Sequence, residues 1–148
     1  MPDAGTFWYH PHVMSAAQVG FGLYGAFVVD DLAEDLGIAD ELVLVLSDID
    51  VDESGTLRSP DTGGSLGMVF GREGNWVLVN GRHQPAVTAR SGSPQRWRII
   101  NAANSRYFML DLAPATCSGR SAAMADWSNT PKTTTFSYLA PASERTSW

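Results

Sequence analysis

Apolar residues in this chain gather in short runs rich in β-branched and aromatic side chains, and Gly, Pro and Asn-Gly punctuate the gaps between them. Leu42-Val43-Leu44-Val45-Leu46, Trp76-Val77-Leu78-Val79, Ala86-Val87-Thr88-Ala89 and Arg96-Trp97-Arg98-Ile99-Ile100-Asn101 are such runs, and Tyr107 to Leu112 is another. Their composition suits strands, because branched and aromatic side chains pack well on a pleated surface. A succession of short strands with turn residues between them predicts an all-β fold, a Greek-key β-sandwich or barrel.

The first run carries the chemistry. Gly5-Thr6-Phe7-Trp8-Tyr9-His10-Pro11-His12 reads as an extended segment ending in His-x-His, and it holds two of the chain's three histidines. Side chains alternate along a strand that rises about 3.3 Å per residue, so His10 and His12 are expected to point the same way, about 7 Å apart at their bases. That separation suits two neighbouring metal ions better than one. Pro11 cannot donate to a sheet ladder, which favours an edge strand whose inner face is free to meet a ligand. A half-buried histidine at a strand end is the competing reading.

Other motifs give way to blander readings. Gly20-x-Gly22-x-x-Gly25 has dinucleotide-binding spacing, but a strand, Ala26 to Val29, follows it where that motif needs a helix. Val13 to Phe21 is a small-residue linker. Asp30 to Asp40 is acidic and loop-like, with one helical turn around Leu32 to Leu36, and reads as an inter-domain connection. Asp50 to Asp61 loosely fits a calcium loop, yet the flanking helices are missing and a solvated turn is the better account. Arg58 to Gly67 is a loop by composition, and Asn80-Gly81 is a turn. Arg96 and Arg98 alternate with Trp97, as on a half-exposed strand. His83 follows a turn without a partner at ligand spacing and reads as a surface residue.

The 148 residues could hold one ordinary domain. With 16 acidic against 10 basic residues and no Lys/Arg cluster, a nucleic-acid partner is not expected. No apolar run approaches the roughly 20 residues of a membrane-spanning helix, and no signal peptide is visible, so no membrane partner is expected and localisation stays open. The single Cys117 cannot form an internal disulfide.

Gly-Thr-Phe-Trp-Tyr-His-x-His, a short linker and then Gly22-Leu23-Tyr24-Gly25-Ala26-Phe27-Val28-Val29-Asp30-Asp31 closely resemble the second His-x-His motif of the multicopper oxidases, the laccase-like enzymes, in their first cupredoxin domain. Val79-Asn80-Gly81 through Pro85, followed by Gln95-Arg96-Trp97-Arg98-Ile99-Ile100-Asn101-Ala102, looks like the start of the second cupredoxin domain of three-domain members. The resemblance implies a cupredoxin-like fold in incomplete domains: residues 1–30 as the end of domain 1, 31–41 as linker, 42–112 as part of domain 2, and 113–148 as a tail outside the family. It also implies copper, with His10 and His12 each ligating a different copper of the type 3 pair in a trinuclear cluster. The family oxidises phenols or metal ions at a type 1 copper and reduces dioxygen to water at the cluster, which four His-x-His motifs assemble. One of the four is present here, and the type 1 site, a His-Cys-His motif, is not. The chain alone is therefore expected to be inactive and poorly soluble, with sheet edges uncovered. Family members are often exported.

From Ala115 the sequence turns rich in Ser, Thr and Ala. Read one base later, with suitable synonymous codons, the stretch resembles the family's own continuation; the single codons of Met124 and Trp127 constrain that reading, which implies a frameshift and makes Cys117 accidental. A native Ser/Thr-rich disordered tail is the alternative. Two functional classes stay open at this level: a fragment of a copper oxidoreductase, or a non-enzymatic cupredoxin-like copper-binding or structural module. A chain completed by other subunits is a third.

Overall fold

The structure is a computed structural model. It describes residues 3–38, 40–60, 65, 69–87 and 94–110, together with the backbone of 136–138 and 146–147. Within these, strands dominate as expected, in sheets that stay open and do not close into a barrel.

The first sheet is a two-stranded antiparallel ribbon. β1 (Gly5–Tyr9) pairs with β2 (Gly25–Val29), with Gly5 opposite Val29 and Tyr9 opposite Gly25. Gly25 leaves room there for the Tyr9 ring, which an added Cβ would push aside. The connection between the two strands is not the plain linker expected from its small residues. Ser15–Gly20 form a short helix, α1, which Met14 enters in the left-handed region with φ of 47°. Small residues allow that turn to pack closely: a Cβ on Gly20 would strike Pro60, and Asn104 Nδ2 donates to the Ala16 carbonyl at 2.8 Å.

The second sheet is built on β3 (Asp40–Ile49), whose uninterrupted apolar run suits a strand covered on both faces. β4 (Trp76–Val79) pairs with it antiparallel and β7 (Gln95–Asn101) parallel, giving the strand order β5-β4-β3-β7-β8. β5 is Arg82–His83 and β8 is Phe136–Tyr138. Asn80 and Gly81, with φ of 50° and 73°, make the two-residue hairpin that an Asn-Gly pair favours, because both central positions need positive φ. The Asn80 side chain also bonds the Val45 N–H and the Val43 carbonyl, fixing the hairpin against β3. β6 (Ala86–Val87) pairs with β9 (Thr146–Ser147) in a separate ribbon. Leu44, Leu46, Trp97, Ile100 and Ala102 form the core between the central strands.

Three expectations need correction. Arg98 is 4% exposed and buried in β7, so that strand is not half-exposed; it lies between β3 and β8, with β1 against it. Tyr107 to Leu110 are not a strand, and Leu112 lies outside the described residues. Leu32 to Leu36 contain a turn but no helix. Asp50 to Leu57, by contrast, form the expected solvated turn, closed by the Val51–Leu57 bridge and organised by Asp52. Cys117 and most of residues 111–148 lie outside the described residues. Among the described residues, no helix is long and apolar enough to cross a membrane.

Candidate metal centre

β1 ends at Tyr9, so His10 and His12 lie just beyond the strand and not on it. The cause is local: Pro11 supplies no N–H to extend the ladder, and the chain bends through residues 12–14 into α1. The expected same-face placement along a strand is thereby replaced by ring stacking. The His10 and His12 rings lie 5.1 Å apart between centroids and 19° from parallel. On the other side of His10 is the Trp8 indole, at 4.4 Å and 27°. Trp8, His10 and His12 thus form one column of rings.

A histidine donates to a metal through the lone pair of an unprotonated ring nitrogen. His10 Nδ1 lies 3.1 Å from the Pro11 carbonyl and 3.3 Å from Ser15 Oγ. A carbonyl only accepts, so the hydrogen-bond network assigns the proton to Nδ1 and leaves the lone pair on Nε2. A ring whose other N–H is held by a carbonyl is the usual arrangement for a metal-ligating histidine. His12 is exposed, and neither of its ring nitrogens is engaged with a described residue. Both imidazoles therefore have a nitrogen available, a donor type that suits copper. Their lone pairs lie in nearly parallel ring planes.

The site is incomplete by itself. Among the described residues, no group of three or more His, Cys, Asp or Glu side chains is gathered as a metal site. His83 is exposed and lies elsewhere, stacked at 4.6 Å on Trp76 with Nδ1 3.1 Å from the Val77 carbonyl. Sequence reasoning misses the residues that hold the histidines. Trp8 stands two places before His10, a spacing that signals a shared face on a strand. Ser15 carries no such signal, since its approach depends on the turn at Met14. Thr6 and Arg98 escape as a pair too: Arg98 Nη1 donates to Thr6 Oγ1 at 2.8 Å, tying β1 to β7.

The family model described as multicopper oxidase matches residues 1–34, the segment that contains β1, α1, β2 and both histidines. The cell division protein FtsP of Salmonella typhimurium is 33% identical over 121 residues, covering 75% of this chain and 24% of that protein. The multicopper oxidase MmcO of Mycobacterium tuberculosis is 31% identical over 140 residues, covering 76% and 27%. Among solved structures, a multi-copper oxidase from Pseudomonas thermotolerans superposes with a TM-score of 0.76 at 31% identity, covering 94% of this chain and 36% of that one. The chain spans about a quarter of the length of the curated relatives it matches. A matched histidine segment, homologous sequence beyond it and a shared fold agree, and the chain belongs to the multicopper oxidase family.

Proposed function

We propose that this chain supplies two imidazole ligands, His10 and His12, to the type 3 coppers of a trinuclear cluster in a laccase-like oxidoreductase. The observation that carries this reading is the ring column with the His10 proton held on Nδ1, which leaves ligand nitrogens on two adjacent, nearly parallel rings. When bound, the coppers would accept electrons drawn from phenols or metal ions and pass them to dioxygen, giving water. The residues of this chain hold and orient imidazoles; oxidation also needs the ligands of the remaining motifs and of a type 1 site. The same proposal divides the sequence into the end of one cupredoxin domain at 1–30, a linker at 31–41, part of a second domain at 42–112 and a frameshifted tail at 113–148.

The test is a Cu(II) titration of the full chain, followed by calorimetry and electron paramagnetic resonance, beside His10→Ala and His12→Ala. Loss of at least about tenfold in affinity for each variant is expected, as is absence of turnover on phenolic substrates by the chain alone. Wild-type copper binding by both variants would remove the assignment. A second reading, a non-enzymatic copper-binding or structural module, draws on the similarity to a relative named for cell division. Gene sequencing tests the tail: absence of a family-like reading one base along rejects the frameshift.

A further inference from the structure

We infer that Trp8 and Ser15 are positioning residues for the His10 imidazole, setting its plane and the direction in which its Nδ1 edge faces before any metal arrives; the metal-binding consequence rests on the copper reading above. The two act from different directions. The Trp8 indole covers one face of the His10 ring at 4.4 Å and 27°, and His12 covers the other at 5.1 Å and 19°. A ring held between two others cannot swing about its Cα–Cβ or Cβ–Cγ bonds without breaking a stack. Stacking does not fix which edge of the ring faces which way, because a flip of the imidazole keeps the plane. Ser15 supplies that second constraint, since its Oγ lies 3.3 Å from Nδ1 alongside the Pro11 carbonyl at 3.1 Å.

Both positioners are themselves anchored. Trp8 lies in β1, paired with Ala26, and Thr6 on the same strand is held by Arg98 from β7. Ser15 is the first residue of α1, whose far end packs at Gly20 against Pro60 and whose Ala16 carbonyl receives Asn104. The imidazole is thus anchored by two routes, one through the strand to β7 and one through the helix to Pro60 and to Asn104, which follows β7. Orientation of a ligand by groups outside the metal shell contributes about 10-fold to 100-fold in metal affinity.

The experiment uses the full chain with Trp8→Leu, Trp8→Phe, Ser15→Ala and Ser15→Thr, each checked for retained β structure by circular dichroism. In the metal-free protein, long-range nitrogen–proton NMR reports the His10 tautomer and its ring-current shift. The wild type is expected in the Nδ1–H form with ring protons shifted upfield. Trp8→Leu should abolish the shift and Trp8→Phe restore most of it; Ser15→Ala should keep the Nδ1–H form that the Pro11 carbonyl selects but let the ring flip, altering the Hδ2 and Hε1 shifts relative to each other, and Ser15→Thr should restore them. Cu(II) titration of the same set should show about tenfold weaker binding for Trp8→Leu and Ser15→Ala, with rescue by Phe and Thr. If His10→Ala leaves copper binding unchanged while the NMR differences appear, the copper reading fails and the positioning stands. Folded Trp8→Leu and Ser15→Ala variants with wild-type ring-proton shifts would overturn the positioning itself.

Discussion

Arg98 Nη1 donates to Thr6 Oγ1 across 2.8 Å, joining an inner strand of the second sheet to the strand that leads into the two histidines. The same guanidinium bonds Glu41 Oε1 through Nε at 2.6 Å, while Asp30 stands 3.9 Å away. Arg98 is 4% exposed and Glu41 36% exposed at their side chains, and this asymmetry decides what each substitution costs. Glu41→Gln leaves a buried guanidinium short of its main counter-charge, whereas Arg98→Met leaves a half-wet carboxylate that Arg96 still reaches at 3.5 Å. Removing one partner of a buried pair strands the other charge, so Glu41→Gln should cost about 2 kcal/mol and Arg98→Met less, in spite of the larger change in the latter. Urea unfolding of both variants checks the order; a larger loss for Arg98→Met contradicts it.

Asp48 predicts a second sensitive point. Its side chain is 3% exposed, and Oδ2 accepts from the Gly74 N–H at 2.6 Å and from Arg106 Nε at 3.0 Å. Arg106 in turn donates to the Gly74 carbonyl at 2.7 Å, so one loop residue is held through both backbone groups. Asp48→Ala leaves a buried N–H and a guanidinium without their acceptor, and about 3 kcal/mol of stability should be lost. Gly74→Ala should cost a similar amount for a different reason: the added Cβ meets the backbone of Ile49, which cannot move without displacing β3. Denaturation midpoints of the two variants test this, and a neutral Gly74→Ala would disprove the close approach.

Local signals make most strands and the Asn80–Gly81 hairpin legible, because branched runs and a positive-φ turn pair act through near neighbours. Likewise, the short side chain of Asp52 organises its turn from within the same seven residues, Val51 to Leu57. What escapes the sequence lies in contacts between distant segments. Arg98 looks like the polar face of a half-exposed strand, because alternation cannot reveal that Thr6 and Glu41 arrive to satisfy a buried guanidinium. The histidines are visible as a pair, but their stacking is not: Pro11 ends the strand early, and the left-handed turn at Met14 then brings Ser15 to His10. In the sequence Pro11 speaks to sheet position, and its larger effect is to stop the ladder.

Asp52 gives a prediction in pH. The Ser54 hydroxyl and then the Thr56 and Ser54 N–H groups donate to its carboxylate and, with Arg58 adding charge attraction, hold its pKa below the ordinary aspartate value. A carboxyl whose folded pKa is depressed contributes stability above its unfolded pKa and loses that contribution as pH falls through the folded one. The turn at residues 51–57 should therefore persist at mildly acidic pH and loosen only below the ordinary carboxylate range. Carboxyl NMR titration should place Asp52 below an ordinary exposed aspartate, and Ser54→Ala should move it back upward; an unchanged midpoint in that variant would exclude the hydroxyl as the main cause.

His83 provides the internal control for the metal assignment, because it offers an imidazole of the same chemistry in a different setting. Its ring stacks on Trp76 at 4.6 Å with a 54° tilt, and Nδ1 lies 3.1 Å from the Val77 carbonyl, so its Nε2 is also open to a metal. Chemistry alone would make it as good a ligand as His10. The difference is company: no second histidine stacks on it among the described residues, and one imidazole on an exposed hairpin cannot chelate. His83→Ala should leave the number of tightly bound Cu(II) equivalents and their spectrum unchanged, while costing less than about 1 kcal/mol through the lost aromatic contact. Loss of a tight equivalent in that variant would mean that His83 contributes to tight copper binding and that the paired column is not sufficient to explain it.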